Sequence, residues 1–334
     1  MAIEVLRCPN CAAPLPPGAR GEVVCEYCRH VLTNVPSPNG YRWVAGDERP
    51  PDDGLRRVHV DGRTFALLGG LARGDGSDVF LARRDKRLAE LVVVKALRAR
   101  EDADLLRNEW RTLTALHASE AQGADFFARM IPQLVAHGPM TGAAEKTLAT
   151  VYRWRTGFVH TLDDVARAHP RGVDPRAAVW MWKRALELLG WVHRAGYAHG
   201  ALVPAHLLVH PRDHGVTFVG WGTSAPLRDG KLPALPGAAR DYYPDDAWER
   251  RAASPAADLV TLARSVARVL GGDPARGSVP SSVPEPLADL VIEYAGRRTC
   301  EAMAADAWAL KEQVSEASRA AFGPDRYVKF SMPA

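Results

Sequence analysis

Polar and apolar positions along this chain fall first into strand-like and later into helix-like patterns. Thr64 to Arg73 and Asp78 to Arg83 read as two strands joined by Gly74-Asp75-Gly76-Ser77, a turn whose two glycines are able to adopt positive φ. Leu91 to Leu97 predicts a third strand. Asp104 to Leu116 predicts a helix on which Leu105, Leu106, Leu113 and Leu116 form an apolar face able to dock on a sheet. Thr147 to Trp154 reads as a further strand. From Asp174-Pro175 through Leu186 and Leu189 to Val192-His193 the pattern is helical and long; it ends at Gly196, with the proline early and the glycine late as helices favour. A turn, Pro211 to Gly215, leads into a strand over Val216 to Val219, and a last helix is expected from about Asp306-Ala307-Trp308 to Ala320. From about Val58 the order is therefore several strands, a helix, more strands, then mostly helix, an α+β arrangement.

The first 28 residues have a different logic. They hold Cys8-Pro9-Asn10-Cys11 and Cys25-Glu26-Tyr27-Cys28, four of the five cysteines, in the spacing C-x2-C-x13-C-x2-C. Two such knuckles can close a tetrahedral Zn²⁺ site, and a module of about thirty residues is otherwise too small to bury a stable core. Two disulfides are the alternative, which requires an oxidising compartment that nothing else in the chain suggests. With all four ligand positions filled by cysteine, no coordination site stays open for catalysis, so the zinc is expected to be structural. Pro14 to Gly18 and Gly21 are turn formers and Val23-Val24 starts a short strand, so residues 1–34 resemble a zinc ribbon. Acidic and basic residues balance there, which favours protein docking or a purely structural role over nucleic-acid binding. Residues 35–57, with Pro36, Pro38, Gly40, Pro50, Pro51 and Gly54, have the composition of a linker, and Tyr41-Arg42-Trp43 within it is a candidate anchor on the following domain. Cys300 stands alone on a predicted helix and reads as a small buried hydrophobe.

Three later stretches carry a resemblance. Ala72-Arg-Gly74-Asp-Gly76-Ser77-Asp-Val79 fits G-x-G-x-x-G-x-V with its middle glycine kept, and Val92-Val-Val-Lys95 on the next strand matches V-A-I-K. His199-Gly-Ala201-Leu-Val203-Pro-Ala-His206 has the frame H-R-D-x-K-P-x-N, and Gly220-Trp221-Gly222 stands where D-F-G would. Tyr243-Pro244-Asp245 is similar to A-P-E, Asp258 to the buried aspartate that braces the catalytic loop, and Arg297 or Arg298 to the late arginine that pairs with the A-P-E carboxylate. In this order the motifs resemble the protein-kinase-like superfamily over about Val58 to Phe322, and with the N-terminal module they resemble a bacterial serine/threonine pseudokinase bearing a zinc ribbon.

The resemblance implies a bilobal kinase-like fold, with a β-rich small lobe over about 58–154, a helical large lobe over about 155–322 and a tail over 323–334, preceded by the small zinc ribbon. It implies that Gly74, Gly76, Ser77, Val79 and Lys95 form a nucleotide site, with Glu109 pairing Lys95, and that Tyr152, Arg153 and Trp154 lie near an adenine pocket. The chemical positions are changed. Ala201 replaces the catalytic aspartate and cannot accept a proton, Val203 replaces the lysine, His206 the metal-binding asparagine and Gly220 the metal-binding aspartate. Gly200 replaces the arginine that docks an activation-loop phosphate. Asp213 lies in the turn before the strand and reads as a turn former. The expectation is a scaffold or regulatory pseudokinase, with ATP as a candidate ligand and Mg²⁺ disfavoured. A divergent active kinase is the first alternative and a nucleic-acid-binding zinc-ribbon protein the second. A phosphatase or a von Willebrand-type protein is the partner class suggested by the resemblance.

Composition trims these options. A net charge of +4, with an isoelectric point near 8.8, is too mild to argue for nucleic acid without a clustered basic stripe, and none is visible. No apolar run reaches the length of a membrane helix, and the N-terminus lacks the basic and apolar regions of a secretory signal, so the cytoplasm is the expected compartment. Arginine outnumbers lysine, and alanine and glycine are abundant, as in chains from GC-rich bacterial genomes. His193, His199, His206, His210 and His214 raise a metal-site hypothesis, but their spacing straddles helix, loop and turn without carboxylate co-ligands; hydrogen bonding of His199 and His206 to the loop backbone is the favoured reading.

Overall fold

The computed structural model describes the chain except for residues 1–7, 9–14, 16–21, 26–30, 38–39, 46–54, 86–89, 144–146, 229, 302, 304 and 334. Cys11 and Cys28 thus lie outside the described residues. The chain forms two compact units, Met1–Leu106 with Gln133–Thr156, and Arg107–Pro132 with Gly157–Ala334.

The first unit holds two antiparallel sheets. Strands β1 (Glu22–Val24), β2 (Val31–Ser37) and β3 (Gly40–Ala45) lie in that order. Strand β3 occupies a stretch whose composition reads as a linker. Among the described residues β1 pairs with β2 only from Val31 to Thr33, whereas β3 pairs with β2 from Leu32 to Ser37, with Pro36 opposite Tyr41. The backbone of Tyr41-Arg42-Trp43 lies in this strand; their side chains are outside the described part. Leu32 packs with Cys8, Leu15 and Cys25 in a small buried cluster.

Strands β4 (Arg57–Val60), β5 (Arg63–Arg73), β6 (Ser77–Arg84), β7 (Glu90–Leu97), β8 (Leu134–Thr141) and β9 (Thr147–Arg153) close into a barrel in the order β4-β5-β6-β7-β9-β8. Closure depends on β4, which pairs with β5 along its length and with β8 at His59 and Val60. Alternation decides which side chains enter the barrel: Val58, Val60, Val92, Val94 and Ala96 point inward and are buried, which places Val93 and Lys95 on the opposite face of β7. Strands β5, β6, β7 and β9 match the sequence pattern within a residue or so at each end, whereas the polar His137, Gly138 and Thr141 mask the half-buried pattern of β8.

Helix α1 (Ala103–His117) follows β7, and the boundary between the units falls within it. Leu106, Leu113 and Leu116 are buried as the apolar face predicts, while Leu105 is only partly buried. The second unit continues with α2 (Ala124–Phe127), β10 (His160–Thr161), α3 (Leu162–Ala168), α4 (Pro175–Arg194), β11 (Tyr197–Ala198), β12 (Leu207–His210), β13 (Gly215–Phe218), β14 (Ala225–Pro226), α5 (Asp245–Arg250), α6 (Pro255–Val269), α7 (Glu285–Ala295) and α8 (Ala307–Phe322). Strands β10, β12 and β13 form one small sheet, and β11 pairs with β14. Caps fix where the helices start. Thr161 and Asp164 make a reciprocal capping box on α3, Asp174 precedes Pro175 on α4, and Ser254 precedes Pro255 on α6. Helices α4 and α6 are buried along most of their length and form the centre of the unit.

Gly190 in the middle of α4 has a packing reason. A Cβ there would lie 2.5 Å from Nε1 of Trp308, so the missing side chain lets α8 lie close against α4, offsetting the roughly 1 kcal/mol that glycine costs in a helix interior. Cys300 does not sit on a helix; it lies in the loop between α7 and α8, where its N–H bonds to Asp246 Oδ2 at 2.8 Å. The α7 pattern stops there because Gly296 ends the helix. Burial, with Asp246 alongside, pushes the thiol up to about 12, which fits an inert cysteine. The tail packs on its own unit: Tyr327 stacks on His214 with ring centres 4.6 Å apart, His214 stacks on Trp180 at 4.3 Å, and Phe330 lies against His169 and Trp180. Among the described residues no helix is long and apolar enough to cross a membrane.

Candidate functional site

The loop from His199 to His206 is built around one carboxylate. Asp258, buried on α6, accepts the backbone N–H of His199 at 2.8 Å and of Gly200 at 2.9 Å, and the Nε2–H of His193 at 3.0 Å. Two main-chain donors and one imidazole meet most of the hydrogen-bonding demand of a carboxylate taken out of water. The Tyr243 hydroxyl then donates to the carbonyl of Gly200 at 2.9 Å, and Ser265 Oγ donates to that of Leu202 at 2.7 Å. The loop backbone is thus held at His199, Gly200 and Leu202 by α6 and by the segment before α5.

His199 is wholly buried and its hydrogen bonds fix its tautomer. Nε2–H donates to the carbonyl of Val219 at 3.1 Å while Nδ1 accepts the N–H of Ala201 at 3.3 Å. Burial pushes its pKa down to about 3, against the opposing pull of Asp258, so the ring is neutral.

Three of the four altered chemical positions come together. His206 donates from Nδ1 to the carbonyl of Ala201 at 2.9 Å, and its ring lies over Gly220, where a Cβ would sit 2.7 Å from Cγ, Cδ2 and Cε1. Gly220 has φ of +78°, a left-handed conformation that favours glycine. The space above residue 220 is thus filled by the imidazole. Neither position offers an oxygen of the kind Mg²⁺ requires, and the residues present do not fit that ion. The fourth position, Val203, is buried; its carbonyl accepts the His206 N–H at 2.9 Å and closes the short helical turn Pro204–His206.

Gly200 shows a similar exchange. Its φ is +76°, and a Cβ would come within 2.8 Å of both Leu232 Cδ2 and the carbonyl of Thr223. Leu232, itself buried, seats on the loop and is held by its N–H bond to the carbonyl of Arg251 at 2.7 Å. The segment after Gly222 is therefore anchored by an apolar side chain where an arginine and a phosphate would need room.

Two further supports, on Asn108 and Arg264, escape the sequence reading. Asn108 on α1 donates from its amide to the carbonyls of Gly222 and Ser224, at 3.0 and 2.7 Å. Arg264 on α6 is buried yet donates to four main-chain carbonyls, those of Asp241, Tyr243, Ala295 and Arg297, at 2.7 to 3.0 Å. Burial lowers its pKa. An arginine directly after the apolar pair Leu262-Ala263 is the one signal that could have marked it. Arg298, rather than Arg297, pairs with Asp245 at 2.7 Å; Arg240 joins from the other side, and Arg297 turns to Glu293.

The remaining histidines are used separately: His210 meets Asp213 at 3.3 Å and accepts that residue's N–H, and His214 is stacked in the tail contact. Asp213 is a turn residue. In the first unit Val79 and Lys95 are cross-strand partners on β6 and β7, and Ser77 is buried at the start of β6 after Gly74 and Gly76. Glu109 is buried on α1 in the second unit. Tyr152 and Arg153 end β9, and Trp154 donates its N–H to the carbonyl of Leu91 at 3.2 Å. Cys8 and Cys25 are buried together; Cys11 and Cys28 lie outside the described residues.

Two outcomes test this geometry. Because His199 is neutral in the fold but takes up a proton near pH 6.5 when unfolded, its stabilising contribution is complete above that pH and is lost as pH falls towards 3. Unfolding free energy is expected to fall by about 1.4 kcal/mol per pH unit more steeply in the native protein than in His199→Gln between pH 6 and 4. Parallel slopes in denaturant melts would refute the buried neutral ring. Gly220→Asp alone should cost roughly 1–3 kcal/mol by overpacking against His206. The same change made with His206→Asn should cost at least about 1 kcal/mol less, whereas additivity to within about 0.5 kcal/mol would show that the ring does not occupy that space.

Compared with known proteins, the chain matches no family model and no curated protein by sequence. Among solved structures it is similar to one described as the crystal structure of BubR1 kinase domain, with a TM-score of 0.58 and 13% identity over 79% of this chain and 83% of that one. At that identity the likeness speaks to architecture alone, and together with the placement of Asp258 beneath the His199 loop it leads to one conclusion: this chain has a protein-kinase-like fold.

Proposed function

We propose that the protein is a pseudokinase, a regulatory scaffold that acts through protein surfaces and does not transfer phosphate. The observation that supports this reading is the Ala201, His206 and Gly220 cluster. A base capable of taking the substrate proton is missing at Ala201, and the metal positions are occupied by a hydrogen-bonded imidazole and a glycine. Losing a general base typically costs about 10²- to 10⁴-fold in rate, and losing the metal removes several kcal/mol of charge stabilisation besides. The framework residues Asp258 and His199, by contrast, are fully engaged, so shape is retained where chemistry is not. A nucleotide at the Gly74 turn and Lys95 would then serve as a structural or signalling ligand. Its phosphate charge would be met by protein donors rather than by a divalent ion. A phosphatase or von Willebrand-type protein is the partner class suggested by the sequence resemblance.

Residues 1–34 form, in this proposal, a zinc ribbon with Cys8, Cys11, Cys25 and Cys28 as ligands. Bound zinc would lock the module's fold and supply no reactive position. The buried pairing of Cys8 and Cys25 with Leu15 and Leu32 supports the assignment.

Thermal denaturation with ATP, with and without Mg²⁺ or Mn²⁺, and incubation with labelled ATP form one experiment. We expect no transfer to the protein or to general acceptors, and an ATP-induced rise in melting temperature that needs no metal and disappears in Lys95→Ala. Label transfer that requires a metal would overturn the pseudokinase reading. For the ribbon, elemental analysis of the purified full chain should find one zinc per molecule, lost in Cys25→Ser. Metal-free protein with all four thiols oxidised would instead establish the disulfide alternative.

A further inference from the structure

Helix α8 ends at Phe322, and Gly323, with φ of +78°, breaks it. Beyond that glycine no described residue is buried, and among the described residues the backbone of 324–333 makes no hydrogen bond to other backbone. A line of side-chain contacts holds the segment instead. The Arg176 guanidinium lies 4.5 Å from the ring centre of Phe322, and Lys183 pairs with Asp325 at 3.3 Å. Tyr327 stacks on His214 and donates its hydroxyl to the Arg212 carbonyl at 3.1 Å, while Phe330 meets Trp180 and His169. Exposed ion pairs and single ring stacks each contribute little, so this segment belongs to the weakly held part of the structure.

The slot beneath is better built than its occupant. Trp180 comes from α4, His169 from the end of α3 and His214 from the β12–β13 turn, and Trp180 and His214 lie parallel with ring centres 4.3 Å apart. Nε1 of Trp180 and Nε2 of both His169 and His214 are buried and, among the described residues, have no hydrogen-bond partner. A buried polar atom left unmet carries the full cost of the water it has lost. The tail thus packs on three rings and satisfies none of these nitrogens. The slot is also basic: Arg176 and Lys183 meet the tail from α4, and burial, with Arg184 nearby on the same helix, lowers the pKa of His214.

We propose that this slot is a docking site for a partner protein, which inserts an extended segment carrying an acidic residue followed by two aromatic residues three positions apart. The chain's own Asp325-Arg326-Tyr327-Val328-Lys329-Phe330 occupies it as an exchangeable stand-in. The seated tail gives the chemistry that the slot accepts, and the three unmet nitrogens are what a foreign segment with well-placed polar groups gains over it. This deepens the scaffold reading, on which it rests for the existence of a protein partner.

Fluorescence anisotropy of a labelled peptide with the sequence of residues 324–333, titrated with the full chain, tests it. The native protein should bind the peptide weakly, because its own tail competes at high effective concentration. Tyr327→Ala/Phe330→Ala, which empties the slot without changing its walls, should bind at least about tenfold more tightly. Adding His214→Asn removes a stacked ring, keeps a residue that tolerates the φ of +51° there, and should abolish the gain. A peptide array varied one position at a time about the tail sequence should contain members with an added Asp, Asn, Glu or Gln that bind the emptied variant at least about tenfold better than the tail does, the scale of one buried polar atom newly met. No peptide binding to the emptied variant, provided that it melts as the native protein does, would overturn the proposal, as would an array without an improved member, since the tail contact would then be a closed part of the fold. A native chain that is dimeric by light scattering and monomeric as Tyr327→Ala/Phe330→Ala would overturn it too, the occupant being the tail of a second copy. Each of these failures leaves the pseudokinase reading standing, whereas metal-dependent label transfer would overturn that reading and leave the slot untouched.

Discussion

The second unit turns on a single buried carboxylate. Burying Asp258 on α6 is costly unless its lone pairs are met, and they are met by the two main-chain N–H groups of His199 and Gly200 and by His193. That requirement fixes the backbone at the start of the loop. The loop in turn fixes His199 against Val219, and through the Gly200 carbonyl it holds Tyr243. Arg264, on the same helix, performs the complementary task for acceptors by gathering four carbonyls from the segment before α5 and the end of α7. One helix therefore supplies both an acceptor for stranded donors and a donor for stranded acceptors.

Against this framework of bonds, the altered positions form a second, self-consistent set. His206 is tied to Ala201 by a hydrogen bond and lies on Gly220, and Leu232 lies on Gly200. Each small residue is matched by a larger neighbour in the space it leaves. Changes of this kind are coupled, so restoring one reactive side chain meets a steric obstacle from another. Asn108 adds a tie from α1 to Gly222 and Ser224, which holds the segment in place through main-chain carbonyls. The order of that segment thus comes from packing and neutral hydrogen bonds.

Much of the architecture was legible in the chain. The strand pairs flanking Gly74-Asp75-Gly76-Ser77, the strand with Lys95 and the long helix from Pro175 all carry strong periodicity and turn chemistry, and they appear where those signals place them. Closure of the barrel was not legible, because β4 is only four residues long and its pairing to β8 is a contact between segments some eighty residues apart. Strand β3 was hidden by prolines and glycines that ordinarily mark a linker, a signal overridden here by pairing with β2 from Leu32 to Ser37. Cys300 was misplaced on a helix because α7 ends at Gly296, earlier than its apolar pattern suggested.

The sequence by itself determined which reactive groups are present and which are missing. That Ala201 has no carboxylate and Gly220 no ligand atom follows from residue identity alone, and the order of the motifs pointed to the fold. Tertiary structure alone decided what fills the resulting spaces and which groups meet. The imidazole over Gly220, Leu232 over Gly200, the four carbonyls on Arg264 and Tyr327 on His214 all depend on residues far apart in the chain. Residue order does not encode these contacts locally. They are set when burial forces polar groups to find partners and voids to be filled.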